Sequence, residues 1–392
     1  MKHKPPGINT ICTHAGALHD EQFCGAVSPL YMSSSYAYEN VAVKRYPRYF
    51  NTPNQEALGK KIAALEHCGA GMVFSSGMAA VSHAMLAFLH KGDHIVLPKS
   101  LYGGTYNFVV EEFEKYGIGY SFAEGFSEQH FAQKIRPDTK VLYIETPSNP
   151  LMCITDLRMI AHLGKQHGIV TMIDNTFASP INQNPADFGI DIVIHSATKY
   201  MGGHSDICAG AVASSQKHIN QIWNLSKNVG GSLSDYTVWL LERSIKTMAL
   251  RVKAQNRNAK KMAKWLQGHP LVSKVHYPGL KQHPDHQIAK KQMSGFTGML
   301  SFELNKEMDA NQFMGALKLI KQSMSLAGVE STMLSPAKTS HALLSAEARK
   351  LQGISDGLIR FSVGIEAKKD LIADIEQAFE AVVKNTPKEV LL

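Results

Sequence analysis

Five short apolar runs, each closed by turn residues and separated by stretches with helical spacing, constrain the fold more than any other feature. They lie at 71–74, 93–97, 140–145, 169–173 and 190–194. Near-continuous apolar runs suit strands buried on both faces, and their alternation with helices predicts a mostly parallel sheet covered on both sides. In such sheets, site residues collect at the carboxyl ends of the strands. Ser76, Tyr102, Asn149, Asp174 and Lys199 all fall at such ends on this reading.

Lys199 leaves the last of these runs directly, before a glycine pair at 202–203. An ammonium is costly to bury without a partner. A desolvated lysine has a depressed pKa and forms Schiff bases with carbonyls; the alternative is a solvent-reaching lysine at a strand end. Ser196 and Thr198 supply hydroxyls beside it that suit a phosphate. Residues 71–82 pass from a strand through Ser75, Ser76 and Gly77 into an Ala-rich helix expected to reach His90. Such a turn is either an anion site or an ordinary capped helix. A carbonyl and a phosphate together describe pyridoxal phosphate, an electron sink for carbanions. Asp174 would then hold the pyridine nitrogen protonated, its alternative being a turn aspartate.

The remaining chain divides into three regions. Residues 1–52, rich in turn formers and tyrosines, have little core of their own and are expected to pack on a second subunit. Residues 53–248 form the large α/β domain, opening on a helix over 54–67. Residues 249–392 are expected as a smaller α+β domain, reached by one long helical region over 234–267. Its strands are expected near 272–277 and 298–304, and its helices at 310–319 and 368–384.

Composition excludes several classes. The net charge of +8 comes from lysines and arginines spread along the chain, without dense basic runs or interleaved aromatics, so no nucleic-acid partner is expected. No run approaches the roughly 18 apolar residues of a membrane span. Five scattered cysteines without a C-x-x-C pair argue for a reducing compartment. With no apolar signal core in 1–10, the expected location is cytoplasmic. His204, Asp206 and Cys208 match no standard ligand spacing, so no metal is expected.

Seven motifs then carry a resemblance: SSGMAA at 75–80, LYGGT at 101–105, ETPSNP at 145–150, IDNTF at 173–177, SATKYMGGHSD at 196–206, YPGL at 277–280 and LIRFSVGIE at 358–366. The chain resembles the trans-sulfuration (Cys/Met metabolism) branch of the fold-type I pyridoxal-phosphate enzymes, which includes the cystathionine β- and γ-lyases. The resemblance implies an aspartate aminotransferase-like fold and pyridoxal 5′-phosphate carried on Lys199. Asp174 would pair with the ring nitrogen, Tyr102 would stack on the ring, and Asn149 would bond the phenolic oxygen. Gly77, Met78, Ser196 and Thr198 would hold the phosphate. Arg360, at the end of a strand, would clamp the substrate carboxylate with Ser325 and Asn149 nearby. Tyr46 and Arg48 would reach a neighbour's phosphate in a homotetramer built from dimers with shared active sites.

Three positions depart from the family pattern of distal contacts: Arg45, Asn107 and Met324. Gly104 stands where methionine γ-lyases carry a cysteine. Arg45 is either a contact for a distal carboxylate or a surface arginine at the pocket rim. The resulting expectation is a carbon–sulfur lyase acting on L-cystathionine, with Lys199 and Tyr102 as acid–base groups and β-elimination preferred. The alternatives are γ-elimination, a methionine γ-lyase, γ-replacement on an acylated homoserine, and a non-catalytic α/β protein.

Overall fold

The structure is a computed structural model that describes residues 6–339, 349 and 353–385. The chain forms two compact units, one made of Met1–Thr146 with Thr155–Leu250 and the other of Pro147–Ile154 with Arg251–Leu392. Segment 147–154, which the alternation assigns to the large domain, belongs to the second unit.

The first unit is built on seven strands: β1 (Ala70–Phe74), β2 (His94–Pro98), β3 (Gly119–Ala123), β4 (Thr139–Glu145), β5 (Val170–Asp174), β6 (Ile192–His195) and β7 (Gly210–Ser214). Their spatial order is β1-β7-β6-β5-β4-β2-β3, with β7 antiparallel to both neighbours and every other pair parallel. The parallel α/β expectation is met. The apolar runs do not announce β3 and β7. β3 reads GYSFA, only half-buried at a sheet edge, and β7 is a small-residue GAVAS run with weak β-propensity.

Alternation of side chains sorts the sheet into two faces. Ile95, Val141, Tyr143, Met172 and Ile194 pack with the helices Gly77–Leu86 and Gly103–Tyr116. Val96, Leu142, Ile144, Ile173 and Val193 pack on the opposite side with Leu157, Ile160 and Leu163 of the amphipathic Leu157–His167 helix.

Several expectations about helices are corrected. The helix from Gly77 ends at Leu86 rather than His90, because Phe88 N–H turns back to Met85 C=O in a tighter three-residue step. The long region over 234–267 is two helices, Asp235–Ile245 and Met248–Gln267, parted where Lys246 and Thr247 make the same short step to Arg243 and Ser244. The N-terminal region contains a short helix, Ile8–His14, whose Cys12 is buried and whose C=O accepts from the buried Lys61 ammonium at 3.1 Å.

The second unit holds β8 (Val272–His276), β9 (Met299–Leu304), β10 (Lys321–Gln322), β11 (Thr332–Leu334) and β12 (Leu358–Ser362), in the order β10-β11-β12-β9-β8. Its core joins Met262 and Leu266 to Phe302, Phe361, Ile375 and Phe379. The helix Ala310–Ala316 stops short of Leu319, because the Asp374 carboxylate takes the N–H groups of Lys318, Leu319 and Ile320. Among the described residues no helix is long and apolar enough to cross a membrane.

Candidate active site

In the first unit, the residues expected to hold a cofactor gather at the carboxyl ends of the strands. β1 runs through Ser75 and Ser76 into the Gly77–Leu86 helix, and Ser76 Oγ caps it by accepting from Ala79 N–H at 3.0 Å. The N–H groups of Gly77 and Met78 lead this helix, ahead of its first internal hydrogen bond. Gly77 tolerates no side chain: a Cβ there would lie 2.8 Å from Ser196 Cβ and 2.9 Å from its Oγ. The Ser196 hydroxyl therefore stands against a ten-residue helix's positive end. Thr198 is turned elsewhere, its Oγ1 exchanging hydrogen bonds with the Ala209 backbone at 3.2 and 3.0 Å.

Asp174 closes β5, where its Oδ1 accepts from Thr176 N–H at 2.9 Å. Burial pushes its carboxyl above the ordinary value, opposed by the Thr176 hydrogen bonds and by the charges of His195 and Lys199. Lys199 lies in the turn after β6, its backbone N–H on Ser196 C=O at 3.1 Å. Tyr102 immediately precedes the Gly103–Tyr116 helix, and its side chain is 49% exposed. Its ring edge lies over Gly104, where a Cβ would meet Tyr102 Cε1 at 2.6 Å and Met78 Sδ at 3.1 Å.

Sequence reasoning misses two buried acids as site residues. Glu145 Oε2 accepts from Tyr102 N–H at 2.8 Å; in the sequence it reads only as the opening of a motif. Glu66, at the end of the Pro53–Leu65 helix, accepts from His195 Nε2 at 2.5 Å and from Asn175 Nδ2 at 3.0 Å. The available signal is chemical, an acid set among apolar helix positions and a histidine ending an apolar run, since each needs a buried partner.

In the second unit, Arg360 is the central residue of β12 rather than its end, and is buried. Its guanidinium donates to Asn149 Oδ1 at 3.2 Å and to Ser325 C=O at 2.8 Å. The geometry suits a carboxylate, which a guanidinium grips with two parallel N–H groups. Ser325 is exposed, in the left-handed region at φ 75°. Met324 beside it is 72% exposed.

The arm residues are held within the chain. Arg48 donates to Lys227 C=O and lies 5.6 and 5.2 Å from the Tyr46 and Tyr49 ring centres. Arg45, expected as one reading at a distal carboxylate, places Nη1 2.9 Å from Glu56 Oε2 and on the Asn51 C=O. His204 Nδ1 is 2.8 Å from Gly202 O. Among the described residues no group of three or more His, Cys, Asp or Glu could hold a metal ion.

A family model described as "Cys/Met metabolism PLP-dependent enzyme" matches residues 9–380. A cystathionine gamma-lyase of Bacillus subtilis (strain 168) is 43% identical over 377 residues, covering 95% of this chain and 99% of its own length. A cystathionine beta-lyase of Lactococcus lactis subsp. cremoris (strain MG1363) gives the same identity and the same coverage. Among solved structures, cystathionine gamma-lyase from Lactobacillus plantarum complexed with L-serine superposes with a TM-score of 0.93 at 38% identity, covering 96% of this chain and 99% of that one.

Proposed function

This chain belongs to the Cys/Met metabolism PLP-dependent enzymes, a carbon–sulfur lyase of the cystathionine β-lyase-like kind, and on that premise we propose that it cleaves L-cystathionine with β-elimination preferred. Its cofactor is pyridoxal 5′-phosphate. The donor set of the first unit fits that group. The Gly77 and Met78 N–H groups and the Ser196 hydroxyl, drawn together where no Cβ fits, suit a phosphate dianion. Asp174, buried and pushed up, calls for a cation, which a protonated pyridine nitrogen would supply. Tyr102 offers its ring for stacking, Asn149 an amide for the phenolic oxygen, and Lys199 the amine that bears the cofactor. Thr198 joins the phosphate set if its hydroxyl exchanges Ala209 for that ligand.

When bound, the cofactor supplies an electron sink for the pair left at the substrate's Cα. Arg360 binds the substrate α-carboxylate with its paired N–H groups, and Asn149 and Ser325 fix that guanidinium. Lys199 Nζ takes the Cα proton as general base. Asp174 keeps the proton on the ring nitrogen, and the Tyr102 hydroxyl hands a proton to the departing sulfur. Homocysteine leaves, and the three-carbon remainder hydrolyses to pyruvate and ammonia.

The observation that carries the β preference is the chemistry at two positions. Met324 is apolar where a glutamate precedes the serine in the γ enzymes this chain resembles, and Asn107 stands where an arginine is found. A second reading, γ-elimination to 2-oxobutyrate and cysteine, is favoured by the kinship with γ-lyases of equal or similar identity. The assembly we infer is a homotetramer of two dimers, in which Tyr46 and Arg48 turn to a neighbour's phosphate. It is supported by the exposed apolar side chains of the arm, including Phe23 at 77%, Met32 and Tyr38. Product analysis with L-cystathionine tests the reaction. Pyruvate with homocysteine supports it, 2-oxobutyrate with cysteine replaces it by the second reading, and no product moves the substrate to methionine or an acylated homoserine.

A further inference from the structure

Glu145 is the last residue of β4 and pairs in register with Asp174 on β5. Paired residues of neighbouring strands point to one face, and this face is the one covered by the Gly77–Leu86 and Gly103–Tyr116 helices. Two buried acids therefore stand side by side at the carboxyl edge of the sheet. Like charges so placed repel unless each has its own compensation. Asp174 has Thr176, His195 and Lys199. Glu145 faces the start of a fourteen-residue helix, where its Oε2 accepts the Tyr102 N–H at 2.8 Å.

That contact matters because it ties Tyr102 to the sheet, whereas the Tyr102 C=O accepts from Tyr106 N–H of its own helix at 3.0 Å. As the residue ahead of the helix it makes no side-chain capping bond. Two glycines follow it, and its ring is half exposed. The ring rests on Gly104 and beside Met78, so its position follows from where its own backbone is held. We propose that Glu145 is a positioning residue, whose carboxylate ties the Tyr102 backbone to the end of β4 and so sets the tyrosine over the cofactor. The proposal rests on the reading of Tyr102 as the stacking group.

The test uses the holoenzyme variants Glu145→Gln, Glu145→Ala and Glu145→Asp, with Tyr102→Ala as reference. The readouts are the visible circular dichroism of the bound cofactor, which reports the asymmetry of its surroundings, and kcat separately from KM. Glutamine keeps an acceptor oxygen for the Tyr102 N–H, so the band and kcat should stay within about threefold, below the tenfold that 1.4 kcal/mol represents. Alanine releases the tyrosine, so the band should shrink toward that of Tyr102→Ala and kcat should fall about 100-fold, the scale of a 1 Å misplacement. Should alanine fail to fold, aspartate decides, since it keeps the charge but withdraws the acceptor by one methylene. A reduced band in Glu145→Asp supports the proposal. A wild-type band in Glu145→Ala or Glu145→Asp overturns it, as does a glutamine variant as damaged as alanine, which would make charge the operative property. If Tyr102→Ala itself leaves the band unchanged, the stacking assignment falls first and the positioning role falls with it.

Discussion

Gly104 lies beneath the Tyr102 ring so closely that a Cβ added to it would come within 2.6 Å of Tyr102 Cε1. Real Cβ atoms do not approach that far, so one of the two must move. The ring is the mobile partner, being half exposed and attached through a rotatable bond. Gly104→Ala should therefore leave folding intact and swing the tyrosine from its seat. We expect kcat on L-cystathionine to fall about tenfold, equivalent to about 1.4 kcal/mol, with a melting temperature close to wild type. Steady-state kinetics beside a thermal melt checks this, and an unchanged kcat would show that the ring's seat does not matter.

Arg45 spends its Nη1 on Glu56 and the Asn51 carbonyl, in a partly exposed pair. Exposed ion pairs contribute about 1 kcal/mol or less. Arg45→Ala should accordingly cost under about 1 kcal/mol of stability and move the KM for L-cystathionine by less than about threefold. A rise of tenfold or more, absent with a substrate lacking the distal carboxylate, would restore Arg45 as a substrate contact.

Burial holds Asp174 above its ordinary carboxyl value of 3.8. Without cofactor, the folded protein binds that proton more tightly than the unfolded chain does. Stability from this group is therefore present at low pH and lost as pH rises from 3.8 through the raised value. Asp174→Asn keeps an oxygen for Thr176 N–H and removes the penalty. The cofactor-free protein should melt about 2 °C higher at neutral pH, while the cofactor Kd rises roughly 30-fold, the effect of losing about 2 kcal/mol of a buried charge pair. Calorimetry of the cofactor-free variant and titration with pyridoxal phosphate read the two effects apart. A less stable cofactor-free variant would contradict the sign.

His94 shows the opposite titration. Burial, with a smaller push from Arg136, lowers its imidazole to about 4 from the ordinary 6.5. His283 is likewise lowered to about 4, again chiefly by burial. The unfolded chain binds these protons first as pH falls, so their contribution is complete above 6.5 and is lost progressively between 6.5 and about 4. Urea midpoints measured across that window should fall. His94→Asn, which retains a partner for Thr139 Oγ1 in place of Nδ1 at 2.8 Å, should flatten the fall. An unaltered slope would place the acid sensitivity elsewhere.

Much of the site is legible in the sequence because it is written in local chemistry. Ser76 before Gly77, Asp174 closing an apolar run and Lys199 leaving one are each anomalous where they stand, and each anomaly has a chemical use. Strand ends can also be aligned from apolar run lengths, which brings Asp174 and Lys199 to one edge before any coordinates are known. The buried pair of Glu66 and His195 escapes notice because its members lie 129 positions apart, and a polar residue among apolar neighbours announces a need for a partner without naming it. Glu145 escapes for a subtler reason. Its role depends on which neighbouring backbone N–H its oxygen reaches, and no spacing rule encodes that.

The sequence by itself determined the fold class, the family, the cofactor chemistry and the placing of Ser76, Asp174 and Lys199 at strand ends, because apolar periodicity and reactive residue types are properties of single segments. The tertiary structure alone decided register and partnership. It placed Arg360 in mid-strand against Asn149, put Glu145 in line with Asp174, turned Arg45 to Glu56, and brought Gly77 against Ser196 and Gly104 beneath the Tyr102 ring. The physical reason is range. Propensity and periodicity act over a few residues, whereas hydrogen bonds and steric contacts form between whichever groups the folded chain brings within about 3 Å of each other.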